Sequence, residues 1–281
     1  MAISGAAFSV MHGFIRHVTQ EIHPFEAAFF RMFFGLVALA PVFMAQGLAP
    51  LRTTKLKLFS IRAVLNVIAM MCFFYGLSLT PLAQATALGF SAPIFATLMA
   101  MLFLGETVRA RRWTAIGIGF LGTLVILRPG LAEIGIGSLL ILFSAAVWSI
   151  ALMVIKVLTR TEGSVTITAY ASIMLTPVTF VIAWPFWTWP TPELWIILFL
   201  LGAIGTIAQT LLNQALKIAD ASVVLPVEFS RLIWAALIGF MMFGEIPNIY
   251  VWTGGFMIFA STTYIGVREA RLKREQRQAS G

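Results

Sequence analysis

The sequence predicts an all-α membrane protein of ten transmembrane helices, folded as two inverted five-helix repeats with both termini cytoplasmic. Three observations carry that prediction. Apolar runs of membrane-crossing length recur along the whole chain, lysine and arginine collect on alternate connections, and the two halves share a landmark at a fixed offset.

Hydrophobic residues make up 60% of the chain and charged residues 11%, whereas a soluble domain carries about 25% charged residues. Mean hydropathy is +0.94. Apolar spans are predicted at roughly 2–18, 26–46, 59–79, 82–104, 112–128, 134–156, 166–188, 193–216, 221–243 and 250–267. A membrane helix takes about 20 residues, so 281 residues leave room for short connections and a basic tail only. A signal peptide would supply a single run near the start. The one cysteine, Cys72, lies within the third span, which excludes an intramolecular disulfide and a cysteine-based metal centre.

Basic residues test this topology independently, because they concentrate on cytoplasmic loops. With both ends inside, the inner segments hold fifteen of the 19 lysines and arginines, from Arg52, Lys55, Lys57 and Arg62 to the tail. The outer segments hold Arg16 and Arg128, and Arg31 and Arg231 fall within spans. The net charge of +8 therefore reflects orientation in the membrane and gives no reason to invoke nucleic acid. The tail is expected to meet anionic lipid headgroups. Trp184, Trp187, Trp189 and Trp195 crowd the outer connection after the seventh span, as an interfacial belt does.

The landmark is a Gly-Glu doublet. Gly105-Glu106 ends the fourth span, and Gly244-Glu245 ends the ninth, 139 residues later (244 minus 105). At the same offset Trp113 falls on Trp252 and Phe90-Ser91 on Phe229-Ser230. Five spans per copy reverse the direction of the chain, so the second copy lies upside down. The predicted units are 1–130, 131–267 and a basic cytoplasmic tail, 268–281.

These residues also carry a resemblance. FFRMFFG (Phe29 to Gly35), the stretch from FFYGLSLTPLAQATAL through FSAPIFATLMAMLFLGE ending at Glu106, and LLNQALKIADASVVLPVEFSRLIWAALIGFMMFGE ending at Glu245 resemble the drug/metabolite transporter superfamily, in particular chains of two EamA-type units. The resemblance implies a ten-helix fold moving small metabolites across the bacterial inner membrane by alternating access. It leaves the substrate open, since the superfamily covers amino acids, nucleotide sugars, S-adenosylmethionine, riboflavin and many drugs.

Charged residues inside the spans are the sharpest site candidates. Arg231 lies about 15 Å along the ninth span, near mid-bilayer, where an arginine costs about 2.5 to 3.5 kcal/mol and therefore faces a cavity or a partner. Glu228, three residues earlier, shares its face. Their first-half equivalents are Ala92 and Gly89, so the pair belongs to one copy only. Arg31 lies about 8 Å into the second span, where snorkelling to the headgroups competes with a site role. Glu26, five residues away, is at most a loose partner. Two arginines on one cavity would hold a carboxylate or phosphate between them, because guanidinium forks bind planar anions.

Gln209 and Asn213 share a face of the eighth span at i and i+4, flanked by Gln214. Tyr75 is the first-half match to Gln214, and Asn66 and Trp148 complete a predicted cavity of mixed polarity. Each taken alone reads equally well as helix packing or an interhelical hydrogen bond. Glu228 and His12 are the candidates for proton coupling. Gly117, Gly119, Gly122, Gly254 and Gly255 permit close helix approach, inside the bundle or in a homodimer.

Paired catalytic aspartates, an HExxH zinc motif, a GxSxG elbow and a GxxxxGK[ST] phosphate loop are all missing from the sequence. The expectation is thus no enzyme, no cofactor and no metal, but a secondary transporter of a small metabolite bearing an anionic or zwitterionic carboxylate-type group. Competing readings are a lipid-handling membrane protein, either a flippase or an acyl-transfer enzyme, and an exporter of amphipathic amino acids or drugs.

Overall fold

The structure, a computed structural model, describes residues 2–47, 53–92, 94–96, 98, 110–128, 135–218 and 230–279. Regular structure among them is helical: α1 Ala2–Val18, α2 Pro24–Ala38, α3 Ala40–Gln46, α4 Leu56–Ser78, α5 Leu82–Gly89, α6 Ala110–Leu127, α7 Ile136–Leu158, α8 Ser164–Ala183, a 3-10 turn Trp184–Phe186, α9 Leu194–Ile218, α10 Ser230–Phe243 and α11 Ile249–Ala279. An apolar chain in hydrocarbon finds no water for its N–H and C=O groups, and a helix satisfies them internally. Five segments are long and apolar enough to cross a membrane: Pro24–Ala45, Leu56–Ser78, Ile136–Leu158, Ser164–Phe186 and Leu194–Ile218. These match five predicted spans with ends shifted by a few residues. Trp113–Leu127 and Ser230–Phe243 are shorter apolar helices. Gly105-Glu106 and Glu228 lie outside the described residues.

The predicted second span is broken. Pro41 has no N–H for the Val37 carbonyl, so α2 ends at Ala38 and α3 restarts at Ala40, with Leu39 between them. Pro24 stands at the first turn of α2, where a missing N–H is harmless. His23 caps that helix: Nδ1 accepts from Phe25 N–H at 3.3 Å, and Glu26 Oε1 accepts from His23 N–H at 3.2 Å. The Glu26 carboxylate also takes the Thr188 N–H and hydroxyl, each at 3.1 Å, tying the α8–α9 connection to α2. Glu26 is therefore no partner of Arg31, because five residues turn a helix by about 140° and point the two side chains apart.

In the bundle, α4 lies along α7, α6 along α11, and α9 between α1 and α2, while α10 packs on α1 and α5. One apolar core draws on nearly all of these helices. Phe120, Phe143, Ile196, Phe240 and Phe256 stand exposed on the surface of the bundle. Two helix pairs meet through glycine. A methyl group on Gly122 would fall 2.7 Å from Gly254 O, and one on Gly254 would fall 2.5 Å from Gly122 O. Gly76 and Gly137 stand in the same relation across α4 and α7. Backbone oxygens cannot swing aside, so these helices close only without a side chain there. Gly117, by contrast, has nothing within 4 Å of such a methyl.

Gly122→Val is expected to lower the melting temperature of the purified protein, at an overpacking cost of about 1 to 3 kcal/mol. Gly117→Ala should leave it within error. Equal losses in the two variants would mean that α6 and α11 do not pack this way. A second expectation concerns pH. The His23 ring stacks on Phe186 at 4.1 Å, and burial pushes its pKa below the ordinary 6.5. The unfolded chain then binds the proton more readily than the folded one. Stability from the neutral imidazole is complete above about pH 6.5 and is lost as pH falls through the lower folded value. Melting followed from about pH 7.5 to about pH 5 should show that loss, and His23→Asn, which caps without titrating, should reduce it.

Candidate functional site

Helices α1, α2, α4, α5, α7, α9, α10 and α11 line a cavity of about 240 Å³. Its polar lining is set by helical spacing. On α4, Asn66, Met70 and Phe73 recur on one face, and on α1 Phe8, Met11 and His12 do so. Arg31 enters from α2, Trp148 from α7, Gln209 from α9 and Arg231 from α10. Of the residues expected from sequence, these six reach one cavity: His12, Arg31, Asn66, Trp148, Gln209 and Arg231.

The cationic groups are held in different ways. Arg231 Nη2 lies 3.4 Å from both ring nitrogens of His12, and its guanidinium carbon sits 5.0 Å from the centre of the Phe8 ring. Beneath it, Gly5 faces Arg231 Cβ, and the Ser9 hydroxyl donates to Arg231 O at 3.0 Å, so α1 and α10 approach closely. The His12 ring, 3% exposed, packs 4.8 Å from Phe73. Arg31 does not snorkel away. Its Nε donates to Met11 Sδ at 3.4 Å and its Nη1 to Met32 Sδ at 3.6 Å. A thioether is a weak acceptor, and no described carboxylate pairs with Arg31.

Other candidates sit behind the lining or away from it. Asn213 is fully buried, bonded to Gln209 at 3.2 Å and to the Thr168 hydroxyl at 3.0 Å. It holds Gln209 in place and joins α9 to α8. Gln214 accepts from the Ser164 hydroxyl at 2.8 Å. Tyr75 is off the cavity, 37% exposed, beside His23 and Phe25. Glu228, expected beside Arg231, falls outside the described residues.

Sequence reasoning missed Arg62. Counted with the inner loop because Lys55 and Lys57 precede it, this arginine is 2% exposed inside α4 and donates from Nη1 to Ile167 O at 2.7 Å. The signal was available: Arg62 is one turn from Asn66 on the same face of α4. The apolar walls, Phe73, Phe74 and Phe90 among them, were also unassigned. Among the described residues no cluster of His, Cys, Asp or Glu could hold a metal ion.

Such a cavity can take a ligand with a flat or apolar body and an acidic end. Phe73, Phe74 and Trp148 offer ring faces, Asn66 and Gln209 offer amide donors and acceptors, and Arg31 and Arg231 offer guanidinium donors.

Comparison with known proteins agrees with a carrier. The model of the EamA-like transporter family matches twice, over residues 1–128 and 135–267. The chain is 32% identical to a riboflavin transporter of Rhizobium johnstonii, over 98% of this chain and 92% of the relative. It is 28% identical to an S-adenosylmethionine uptake transporter of Rickettsia bellii, over 94% and 89% respectively. A solved crystal structure shares the fold at a TM-score of 0.66 and 17% identity, covering 96% of this chain and 98% of its own. The protein is thus a multi-pass membrane carrier of a small molecule rather than an enzyme. With both halves matched by its model, the chain belongs to the EamA-like transporter family.

Proposed function

We propose that this carrier moves a small metabolite with an aromatic or apolar body and a carboxylate-type anionic or zwitterionic group, by alternating access in a bacterial inner membrane. The observation that carries the reading is Arg31: a guanidinium on the cavity wall whose hydrogen-bond partners among the described residues are thioether sulfurs. Buried charge without an acidic partner is costly, and an anionic ligand supplies that partner. Arg231 and His12 across the cavity add a second point of contact. The aromatic walls fit the ring systems in the names of the riboflavin and S-adenosylmethionine carriers.

Alternating access rests on two inverted repeats, 1–130 and 131–267, and the helix contacts support that symmetry. Exchange of first-half and second-half equivalents turns the α4–α7 contact into α9–α1, and α1–α10 into α7–α5; α2–α8, α5–α10 and α6–α11 map onto themselves. The charge distribution supports cytoplasmic termini, with the 268–281 tail at the lipid headgroups. A homodimer would meet at Gly117 on α6, which has open space around it and exposed Ile118 and Leu121 beside it.

Aromatic carboxylates are expected to raise the melting temperature of the purified protein. Arg31→Gln and Arg231→Gln should each weaken the apparent affinity by roughly 10- to 100-fold, the worth of a charged hydrogen bond. If folded variants respond to every carboxylate as the parent does, the anion site is wrong. Gln209→Leu should act in the same direction as the arginine variants. Asn213→Ala should lower the ligand-free melting temperature and weaken the ligand-induced shift less than Gln209→Leu does, because Asn213 acts on the cavity only through Gln209. Saturable uptake with counterflow in proteoliposomes separates this carrier from a channel.

A further inference from the structure

The Gly-Glu doublet at the end of α10 has an occupation that the cavity does not explain. Gly244, at φ +67°, ends α10 in a left-handed turn, its N–H reaching Phe240 O at 2.9 Å. That turn throws Glu245 back over α10, so that its Oε2 lies where a side chain on Gly239 would crowd it, 3.2 Å from the Cβ position. From there the carboxylate joins three helices. Its Oε2 accepts from Leu82 N–H, at the first residue of α5, at 2.9 Å. Its Oε1 forms an ion pair with Arg16 at the end of α1. Arg16 in turn donates to Thr80 O, just before α5, at 2.6 Å and lies over the Phe243 ring at 5.1 Å. Both charged side chains are mostly buried, 20% and 16% exposed.

The placement matters because α1, α5 and α10 are walls of the cavity. Arg16 stands one turn, about 6 Å, beyond His12, and Leu82 stands one turn beyond the lining residue Thr86. The same knot therefore ties three walls together directly past the site. At the other end of the bundle, α7 and α9 are joined by one hydrogen bond, from the exposed Lys156 Nζ to Leu216 O at 2.6 Å. Closure there, among the described residues, involves no ion pair.

We propose that Arg16, Glu245 and the first turn of α5 form a latch that keeps the cavity shut at this end and parts whenever substrate passes there. The carboxylate suits that role because it satisfies the N-terminus of α5 and neutralises Arg16 at once, so α1, α5 and α10 either hold together or all release. The latch rests on transport by this fold and not on the charge of the ligand, so it stands or falls independently of the anion site.

The test uses full-length protein in sealed vesicles, with Cys72→Ser and Thr86→Cys, and a membrane-impermeant thiol reagent added from each side in turn. Arg16→Gln and Glu245→Gln are each expected to speed labelling from the latch side by roughly five-fold. The double variant should add little to either single one, because both remove the same contact. Labelling from the opposite side should not rise. If both single variants label at the parent's rate while their melting temperatures fall, the knot is a structural staple and the latch is wrong. Should either Gln variant fail to fold, Arg16→Lys keeps the charge and loses the two-point contact. It should still label faster than the parent, and an unchanged rate would equally overturn the proposal.

Discussion

A guanidinium cannot lie in hydrocarbon without something to solvate it, and this constraint organises the centre of the molecule. Arg231 is flanked by His12 and Phe8, Arg31 by two methionines, and Arg62 by a helix carbonyl. The thioethers beside Arg31 and the single carbonyl at Arg62 are poorer acceptors than water. Arg31 and Arg231 line the cavity, which gives their charge a polar space, whereas Arg62 lies outside it on a carbonyl of α8. Selectivity and fold stability are coupled if, as proposed, Arg31 and Arg231 are the groups that meet the ligand.

The second constraint is geometric. Helices that slide or rock must stay in contact through movement, and lipid offers little hydrophobic drive to keep them together. Glycine-to-glycine contacts at Gly122–Gly254 and Gly76–Gly137 let backbones touch, so that dispersion and weak Cα–H···O contacts replace interlocked side chains. Smooth surfaces of this kind have little to unlock. Long side chains are kept for the ends of the bundle, where Arg16–Glu245 and Glu26–Thr188 join elements far apart in sequence.

How much was legible follows from range. Apolar spans are local, and five emerge as helices of membrane length close to where hydropathy puts them. The break at Leu39 was equally local, and Pro41 announces it. Arg231 and Arg31 stood out because charge is rare in such segments, and the structure brings both to one cavity. What sequence could not give was partnership across the chain. The repeat offset equated Tyr75 with Gln214, yet one joins the His23 aromatic cluster and the other bonds Ser164. Neighbouring lysines disguised Arg62 as a loop residue. Gly244 was readable as a turn former, whereas the reach of Glu245 to Leu82 depends on packing that brings together residues 163 apart.

That separation bears on how the protein is made. The first turn of α5 and the side chain of Arg16 both belong to the first half of the protein, and the carboxylate that satisfies them is synthesised 163 residues after Leu82. Until Glu245 arrives, a nascent first half carries an uncompensated cation and an uncapped helix at its membrane boundary. Assembly of the first half is therefore completed by the second, and truncation before residue 245 removes more than the helices it deletes: it leaves the opposite half without its final hydrogen-bond acceptor.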